Sequence, residues 1–460
     1  MSAVGGERPW AGRRVHLIGV GGAGMSAYAR AAHALGATVS GSDGAQGDYL
    51  RRLAADGVLE AAIGHRAENV PAGEDVEVYH SSAVPEENPE RAAARERGLA
   101  DRSRAELLGE LSALRRTIAV AGTHGKTTTS SMIARMLIGA GMRPGWLIGA
   151  PIGGGLANAE WGEGEWLVVE ADESDRSMLS LRVEIAVLTN VELDHHAAFG
   201  SLAELREAFR EFLAGAPRAV VWDRPELLEL RAAGAELIAY EAEGAQLTAG
   251  GSLLPWRGRT VRLAVPGLHN ALDAAGALEA AALAGAAEDA AVAALEGFTG
   301  AGRRFQRLGR SLGGAVLYED YAHHPTEVAA TLAAARTLAP GRLVAVFQPH
   351  LFSRTKLLAR EFGAALALAD AIAVLDVYPA RERAEDFPGT SGLTIAEAVA
   401  DAAPGRPVYW LPRIEQAREV LSGLLAAGDV CVVMGAGDVD RLGRELVALA
   451  EPERGGGRAS

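Results

Sequence analysis

A short run of β-branched and apolar residues, a glycine-bearing turn and a helical stretch recur in that order along this chain, and few folds accept such a series. RRVHLIGV leads through a glycine cluster into the helical stretch MSAYARAAHALG and a second strand, ATVSGSD. A third strand, VEVYHSS (76–82), ends in the turn-rich AVPEENPE. The series restarts at RRTIAVAG, with the helix TTSSMIARMLIGAG and the strands EWLVVEAD and EIAVLTN. It restarts again near Arg303, with strands at AVLYEDY, RLVAVFQ, AIAVLDVY and DVCVVMGAG. Strands alternating with helices predict parallel sheets covered by helices, an α/β fold class. An alanine-rich helical region over 271–295 precedes Gly297-Phe298-Thr299-Gly300, which reads as a hinge. The economical partition is three α/β domains, over 1–113, 114–301 and 302–460, the first and last Rossmann-like. The terminal EPERGGGRAS reads as a frayed tail.

The chain has 460 residues, of which 49% are hydrophobic and 23% charged, and that is enough material for several buried cores. Its net charge of −14 argues against a general partner among nucleic acids or anionic membranes, though not against a local basic pocket. The single cysteine, Cys431, excludes an intrachain disulfide and any multi-cysteine zinc site. The first residues lack the basic, apolar and small-residue order of a secretory leader, and no uncharged apolar run reaches membrane length. These features predict a cytoplasmic protein.

Lysine is almost absent: Lys126 and Lys356 are the two in the chain, and every other basic residue besides histidine is arginine. Lys126 lies in TIAVAGTHGKTT, where a strand runs into Gly122, Thr123, His124, Gly125, Lys126, Thr127 and Thr128 and a helix follows. A loop of this kind turns backbone N–H groups inward, and the helix start adds partial positive charge, a cradle for phosphate. Lys126 would bring a point charge to the β- and γ-phosphates, and the Thr127 hydroxyl could ligate Mg²⁺. The strict G-x-x-x-x-G-K-[ST] pattern needs glycine where this chain has Val120, so the motif is a near match. A glycine- and threonine-rich structural turn is the bland alternative.

A second loop, Gly19-Val20-Gly21-Gly22-Ala23-Gly24, matches G-x-G-x-x-G after a strand, and Asp43 closes the next strand at the distance expected for a ribose contact. Packing glycines can produce the same pattern. The loop suits a pyrophosphate-bearing ligand, NAD or a nucleotide-sugar diphosphate alike. After EWLVV come Glu170, Asp172, Glu173 and Asp175, a concentration of negative charge that calls for a compensating cation unless the loop is simply solvated. The strand after that ends in Thr189-Asn190-Val191-Glu192-Leu193-Asp194-His195-His196. In an open parallel sheet ligands gather at the carboxyl ends of strands, which would bring the loop after 121, the acids and His195 together.

Taken together, the stretches GVGGAGMS, AGTHGKTTTS, EADESDRSML, LTNVELDH, PGLHNALDA, AGRRFQ, EDYAHHPTEV, QPHLFSRT and MGAGDVD closely resemble the Mur ligases, ATP-dependent amide-forming enzymes of peptidoglycan synthesis. The likeness runs in the family's order across essentially the whole chain. It is strongest to members that join L-alanine to the carboxylate of UDP-N-acetylmuramate through an acyl phosphate. The resemblance implies a UDP-sugar-binding domain, a central ATPase domain and a mobile carboxy-terminal domain. It also implies that Gly19, Gly21, Gly22, Gly24, Met25, Ser26 and Asp43 receive the UDP-sugar. Lys126 and Thr127 would hold ATP phosphates and one Mg²⁺; Glu170 would bind that metal and His195 a second. His269 and Asn270 would lie near the adenine, and Asp320 would contact the ribose. Arg303 or Arg304 would bring charge to the phosphates, while Tyr321, His323 and Arg354 would line the amino-acid end. His323 or His324 would take the amine proton. The implied partners are small molecules, and the implied assembly is a monomer or homodimer.

Two departures stand out. Several relatives have arginine in the fourth position of QPHxxSRT, where this chain has Leu351, leaving Arg354 as the carboxylate anchor. No lysine lies between Lys126 and Lys356, so a carbamylated lysine cannot bridge metals in the central domain. Three other readings remain open: a recycling ligase that uses an intact tripeptide, a nicotinamide-dependent dehydrogenase using the first loop, and a non-catalytic nucleotide sensor.

Overall fold

The computed structural model describes residues 8–193, 199–231 and 234–450. The chain gathers into two compact units, one of residues up to Glu241 with Leu272–Phe298, the other of Ala242–Ala271 with residues from Thr299 on. The third crossing between them falls inside Gly297–Gly300, the segment read as a hinge.

The first unit holds two sheets. One has five parallel strands in the order Ala62–Ile63, Thr38–Asp43, Arg14–Ile18, Val76–His80, Asp101–Ser103. The strand order turns around Arg14–Ile18, so a crevice opens beyond Ile18 and His80, where Gly19 begins its loop. The other has seven strands: Glu236–Tyr240, Arg218–Trp222, Ile185–Leu188, Arg116–Ala121, Trp166–Glu170, Gly145–Leu147 and Ala159–Glu160. Only the last pair is antiparallel. Ile118, Ala119 and Val120 at its centre are wholly buried, as expected for a strand covered by helices on both faces. The register pairs Ala121 with Leu188 and Val120 with Glu170, so the phosphate-type loop, the acidic run and Thr189 leave the sheet side by side.

In the second unit, six strands run in the order Gln306–Arg310, Val316–Asp320, Asp429–Met434, Arg342–Phe347, Ala371–Val374, Val408–Trp410, with only the first pair antiparallel. A small antiparallel sheet of Gln246–Thr248, Gly251–Trp256 and Arg259–Leu263 had no counterpart in the sequence reading. The alanine-rich region is two helices, Leu268–Leu283 and Glu288–Glu296. The break follows Gly285, whose φ of +89° ends the first helix.

Asp43 owes its place to a buried polar knot behind it. Glu90, in the helix Pro89–Glu96, is completely buried and accepts from Ser42 Oγ at 2.7 Å, His16 Nε2 at 2.8 Å, His65 Nδ1 at 2.9 Å and Asn69 Nδ2 at 3.1 Å. Burial pushes the Glu90 carboxyl up, but these four hydrogen bonds outweigh it and hold it at about 2. A carboxyl depressed in the folded state stabilises fully above its ordinary value of 4.5 and loses that contribution as pH falls toward about 2. Glu90→Gln is therefore expected to cost about 1–3 kcal/mol at neutral pH. It should also flatten the acid limb of stability, as read from denaturant unfolding at neutral pH and at about pH 3; an unchanged acid limb would remove Glu90 from this role.

Candidate functional site

Strand Arg116–Ala121 delivers the chain into Gly122–Gly125, and helix Lys126–Gly139 follows. Gly122 and Gly125 have φ of +136° and +84°. A Cβ on Gly122 would lie 2.1 Å from Thr189 Oγ1, and one on Gly125 would lie 2.4 Å from Asp273 Oδ1. Both positions require glycine for conformation and for space. The loop is clamped by the next strand end: Thr123 N donates to Asn190 O (3.1 Å), His124 N to Asn190 Oδ1 (2.9 Å), and Asn190 Nδ2 and Thr189 Oγ1 both donate to His124 O. Thr123 Oγ1 donates to Glu192 O and accepts from Glu192 N, each at 2.9 Å. Thr189, Asn190 and Asp273 are supports that motif reading passed over, because each is recognisable only by its neighbours in space.

The first intrahelical bond runs from Thr129 N to Gly125 O, and no side chain caps the helix. The N–H groups of Gly125, Lys126, Thr127 and Thr128 thus precede the ladder, and such groups suit phosphate oxygens. Lys126 Nζ donates to Gly122 O (2.6 Å) and Thr123 O (3.1 Å) and pairs with buried Glu173 at 2.9 Å. Burial would lower the ammonium's pKa, but Glu173, Asp172 and Glu170 together raise it, so Lys126 is a cation. Three acceptors around one nitrogen suit an ammonium; a planar guanidinium would not fit among them.

The acidic run is largely compensated by the protein's own cations, so much of the positive charge that the four carboxylates call for comes from side chains. Arg104 holds Asp175 through Nε (2.5 Å) and Asp172 through Nη2 (3.0 Å), and Lys126 holds Glu173. Burial pushes Asp172 up, yet Arg104 and Lys126 bring it to about 2. Among the described residues Glu170 accepts hydrogen bonds from neutral donors, Thr127 Oγ1 at 2.8 Å and Gly149 N at 2.7 Å. Hard oxygen donors that meet with no ion pair at Glu170 among the described residues make Thr127 and Glu170 the pair that fits a divalent ion. His195 lies outside the described residues.

In the first loop, Gly19 has φ of +81°, and Gly21 N donates to Asp43 Oδ2 at 2.8 Å. A Cβ on Gly21 would meet that same oxygen at 2.8 Å. Gly22 is the N-cap of helix Ala23–Ala34 and has no side-chain cap, and Gly24 lies in its first turn. Met25 and Ser26 are buried, and the Ser26 hydroxyl donates to Ala23 O. These two side chains pack the helix, and Asp43 braces the loop.

The second unit carries the remaining residues singled out above. Asp320 accepts from Phe305 N (2.8 Å) and Ala322 N (2.7 Å), and burial pushes its carboxyl up to about 6 against the pull of Arg304. Arg303 donates to Gly435 O and Gly437 O and lies over the Tyr321 ring, 4.9 Å from its centroid. Arg304 faces the same ring and Glu327. His323 bonds Tyr321 O and packs edge-on against Tyr321 and His350. His324 Nδ1 caps helix Pro325–Arg336. Buried Arg354 reaches His350, and Leu351 turns the chain into helix Phe352–Leu357 at φ +70°. Asn270 Nδ2 donates to Pro266 O, and His269, held by burial and Arg304 at about 4, is neutral at pH 7.

Parallel α/β sheets, a glycine-opened lysine loop and an oxygen pair, Thr127 at the helix start and Glu170 at the adjoining strand end, define an α/β protein of nucleotide-binding type. The chain belongs to the Mur ligase family. Residues 14–116 match the Mur ligase family catalytic domain, 120–281 the Mur ligase middle domain, and 303–437 the Mur ligase glutamate ligase domain. A UDP-N-acetylmuramate–L-alanine ligase of Mycobacterium sp. (strain JLS) is 43% identical over 471 residues, covering 95% of each chain. The crystal structure of the UDP-N-acetylmuramate–alanine ligase of Thermotoga maritima superposes with a TM-score of 0.81 at 26% identity, covering 95% of this chain and 98% of that one. A murein peptide ligase of Psychrobacter arcticus shares the fold at a TM-score of 0.71 and 24% identity, over 95% of this chain and 99% of that one.

The crowding at Gly125 can be tested against Gly141, which also has positive φ (+74°) but nothing within 4 Å of an added Cβ. Gly141→Ala is expected to cost about 1 kcal/mol from backbone strain alone. Gly125→Ala should cost about 2–4 kcal/mol, because the clash with Asp273 is added. Equal losses in thermal unfolding would show that the loop tolerates the extra carbon.

Proposed function

We propose that this chain is an ATP-dependent ligase that joins L-alanine to the carboxylate of UDP-N-acetylmuramate in peptidoglycan precursor synthesis. The observation that carries the reading is the 43% identity, over 95% of both chains, to an enzyme of that name. The lysine loop and the oxygen pair beside it supply the chemistry such an enzyme needs. Among the described residues no helix is long and apolar enough to cross a membrane.

In this reaction the γ-phosphoryl group of ATP passes to the muramyl carboxylate, and the amine of L-alanine displaces phosphate from the acyl phosphate. Carboxylate and γ-phosphate repel each other, so the site's task is to neutralise and align them. Lys126 supplies one fixed positive charge, and the N–H groups from Gly125 to Thr128 orient the phosphate chain. Thr127 and Glu170 would hold Mg²⁺, with His195 the residue assigned to a second ion; bound there, Mg²⁺ would offset charge on the phosphoryl oxygens. In the second unit, Arg303 or Arg304 would add positive charge and Asp320 would meet the ribose. His269 and Asn270 would flank the adenine, and Tyr321, His323 and Arg354 would receive L-alanine. His323 would accept the amine proton. Gly19, Gly21, Gly22 and Gly24 would seat the UDP pyrophosphate, with Asp43 holding their loop open. In this reading the domain limits would fall near 113 and 301.

Phosphate release with ATP, Mg²⁺ and UDP-N-acetylmuramate, with product mass checked, is expected with L-alanine and to be weaker with glycine or L-serine. Turnover with an intact tripeptide in place of L-alanine would move the assignment to the recycling ligase, and none with any acceptor would defeat the reading. Lys126→Ala and Lys126→Arg should both lower kcat/KM by about a thousandfold or more. Full activity in Lys126→Arg would show that charge alone, without the ammonium's compactness, suffices.

A further inference from the structure

Arg104 opens helix Arg104–Ala113 just after the capping box of Ser103 and Glu106, so its backbone position is fixed by that cap. Its side chain is 14% exposed and leaves the first sheet for the acidic run of the second. Nε donates to Asp175, and Nη2 donates to Asp172 at 3.0 Å and Ser177 Oγ at 3.4 Å. All of these bonds leave from one side of the guanidinium. The remaining nitrogen, Nη1, faces the glycine loop: a Cβ on Gly24 would lie 3.2 Å from it. Gly24 has no side chain, so nothing at position 24 comes between Nη1 and the loop backbone, and any larger residue there would press on the guanidinium. Burial would lower the Arg104 pKa, but Asp175 and Asp172 raise it, so the cation is permanent.

We propose that Arg104 is a substrate-binding residue: Nη1 binds the pyrophosphate of the UDP-sugar at the loop 19–24, while Nε and Nη2 hold the acidic run 172–177. This inference rests on the reading of the chain as a UDP-N-acetylmuramate ligase. A guanidinium is suited to the task because its planar fork addresses two directions at once, which an ammonium cannot. Asp172 feels both Arg104 and Lys126, so the charge on the substrate loop and the charge in the ATP loop are linked through one carboxylate. Occupation of loop 19–24 by an anion would share Arg104 between pyrophosphate and Asp172. The acidic run beside Lys126 would thereby respond to whether the first substrate is bound.

The test is equilibrium binding of UDP-N-acetylmuramate, UDP and uridine to the full chain by calorimetry, without ATP, for the wild type, Arg104→Ala and Arg104→Lys. Wild-type binding of UDP-N-acetylmuramate and UDP tests the reading itself; if neither binds, that reading fails before this inference is reached. Given wild-type binding, Arg104→Ala should weaken UDP and UDP-N-acetylmuramate by about ten- to a hundredfold and leave uridine within twofold. Arg104→Lys should regain part of the UDP affinity but not the turnover rate, because one ammonium cannot hold both Asp172 and the pyrophosphate. An unchanged UDP affinity in Arg104→Ala would overturn the proposal. So would an equal loss for uridine, which would show a merely structural role, or a loss confined to UDP-N-acetylmuramate, which would move the contact from pyrophosphate to the sugar's carboxylate.

Discussion

Asn190 gripping His124 from both sides is the contact on which the ATP-type site depends. Its side-chain oxygen takes the His124 N–H and its amide nitrogen donates to the His124 carbonyl. One side chain thereby fixes the peptide groups immediately before Gly125 and Lys126. The clamp exists because Ala121 and Leu188 are paired in register, so that the two strands release their loops at the same level of the sheet. Glu170 lies at the end of the neighbouring strand, paired to the same central one through Val120. A register shift of one residue in either pair would turn these side chains to the opposite face. The site is therefore a consequence of strand pairing first and of loop chemistry second.

Charge is distributed around that clamp with a clear asymmetry. Each acid of the run after Glu170 has a cation: Asp172 and Asp175 share Arg104, and Glu173 faces Lys126. Burial would otherwise drive Asp172 and Asp175 toward protonation. Glu170, with a hydroxyl and a backbone N–H for company, is the exception. A carboxylate whose hydrogen bonds come from neutral donors has no ion pair to give up to an incoming cation, whereas a paired one does. That difference, and not the number of acids, singles out Glu170 as the residue proposed for a metal ion.

The second unit is built on a different economy. Asp320 is enclosed, bonded at both oxygens by backbone N–H groups, and still raised to about 6 because burial outweighs those bonds and Arg304. Arg303, Phe305 and Leu351 all adopt positive φ without being glycine. Such backbone strain persists where surrounding contacts impose it, and it gathers at functional segments. Here it accompanies the residues assigned to the ribose and the amino acid.

The order of strands, glycine loops and helices is set by local periodicity and by the few residues that tolerate positive φ, and both are properties of neighbouring residues in the chain. Hence the α/β class and the lysine loop between strand and helix were legible in the sequence. The small antiparallel sheet over 246–263 and the break at Gly285 were not, since weakly patterned strands and a lone glycine in an alanine-rich run carry little local signal. Nor were the roles of Thr189, Asn190, Asp273 and Arg104. Arg104 meets Asp172 across 68 residues of chain, and no spacing rule links them. Sequence determined which groups could bind phosphate and metal, because residue chemistry is intrinsic. Tertiary structure alone decided which of the clustered acids form ion pairs, because compensation is a matter of distance in space.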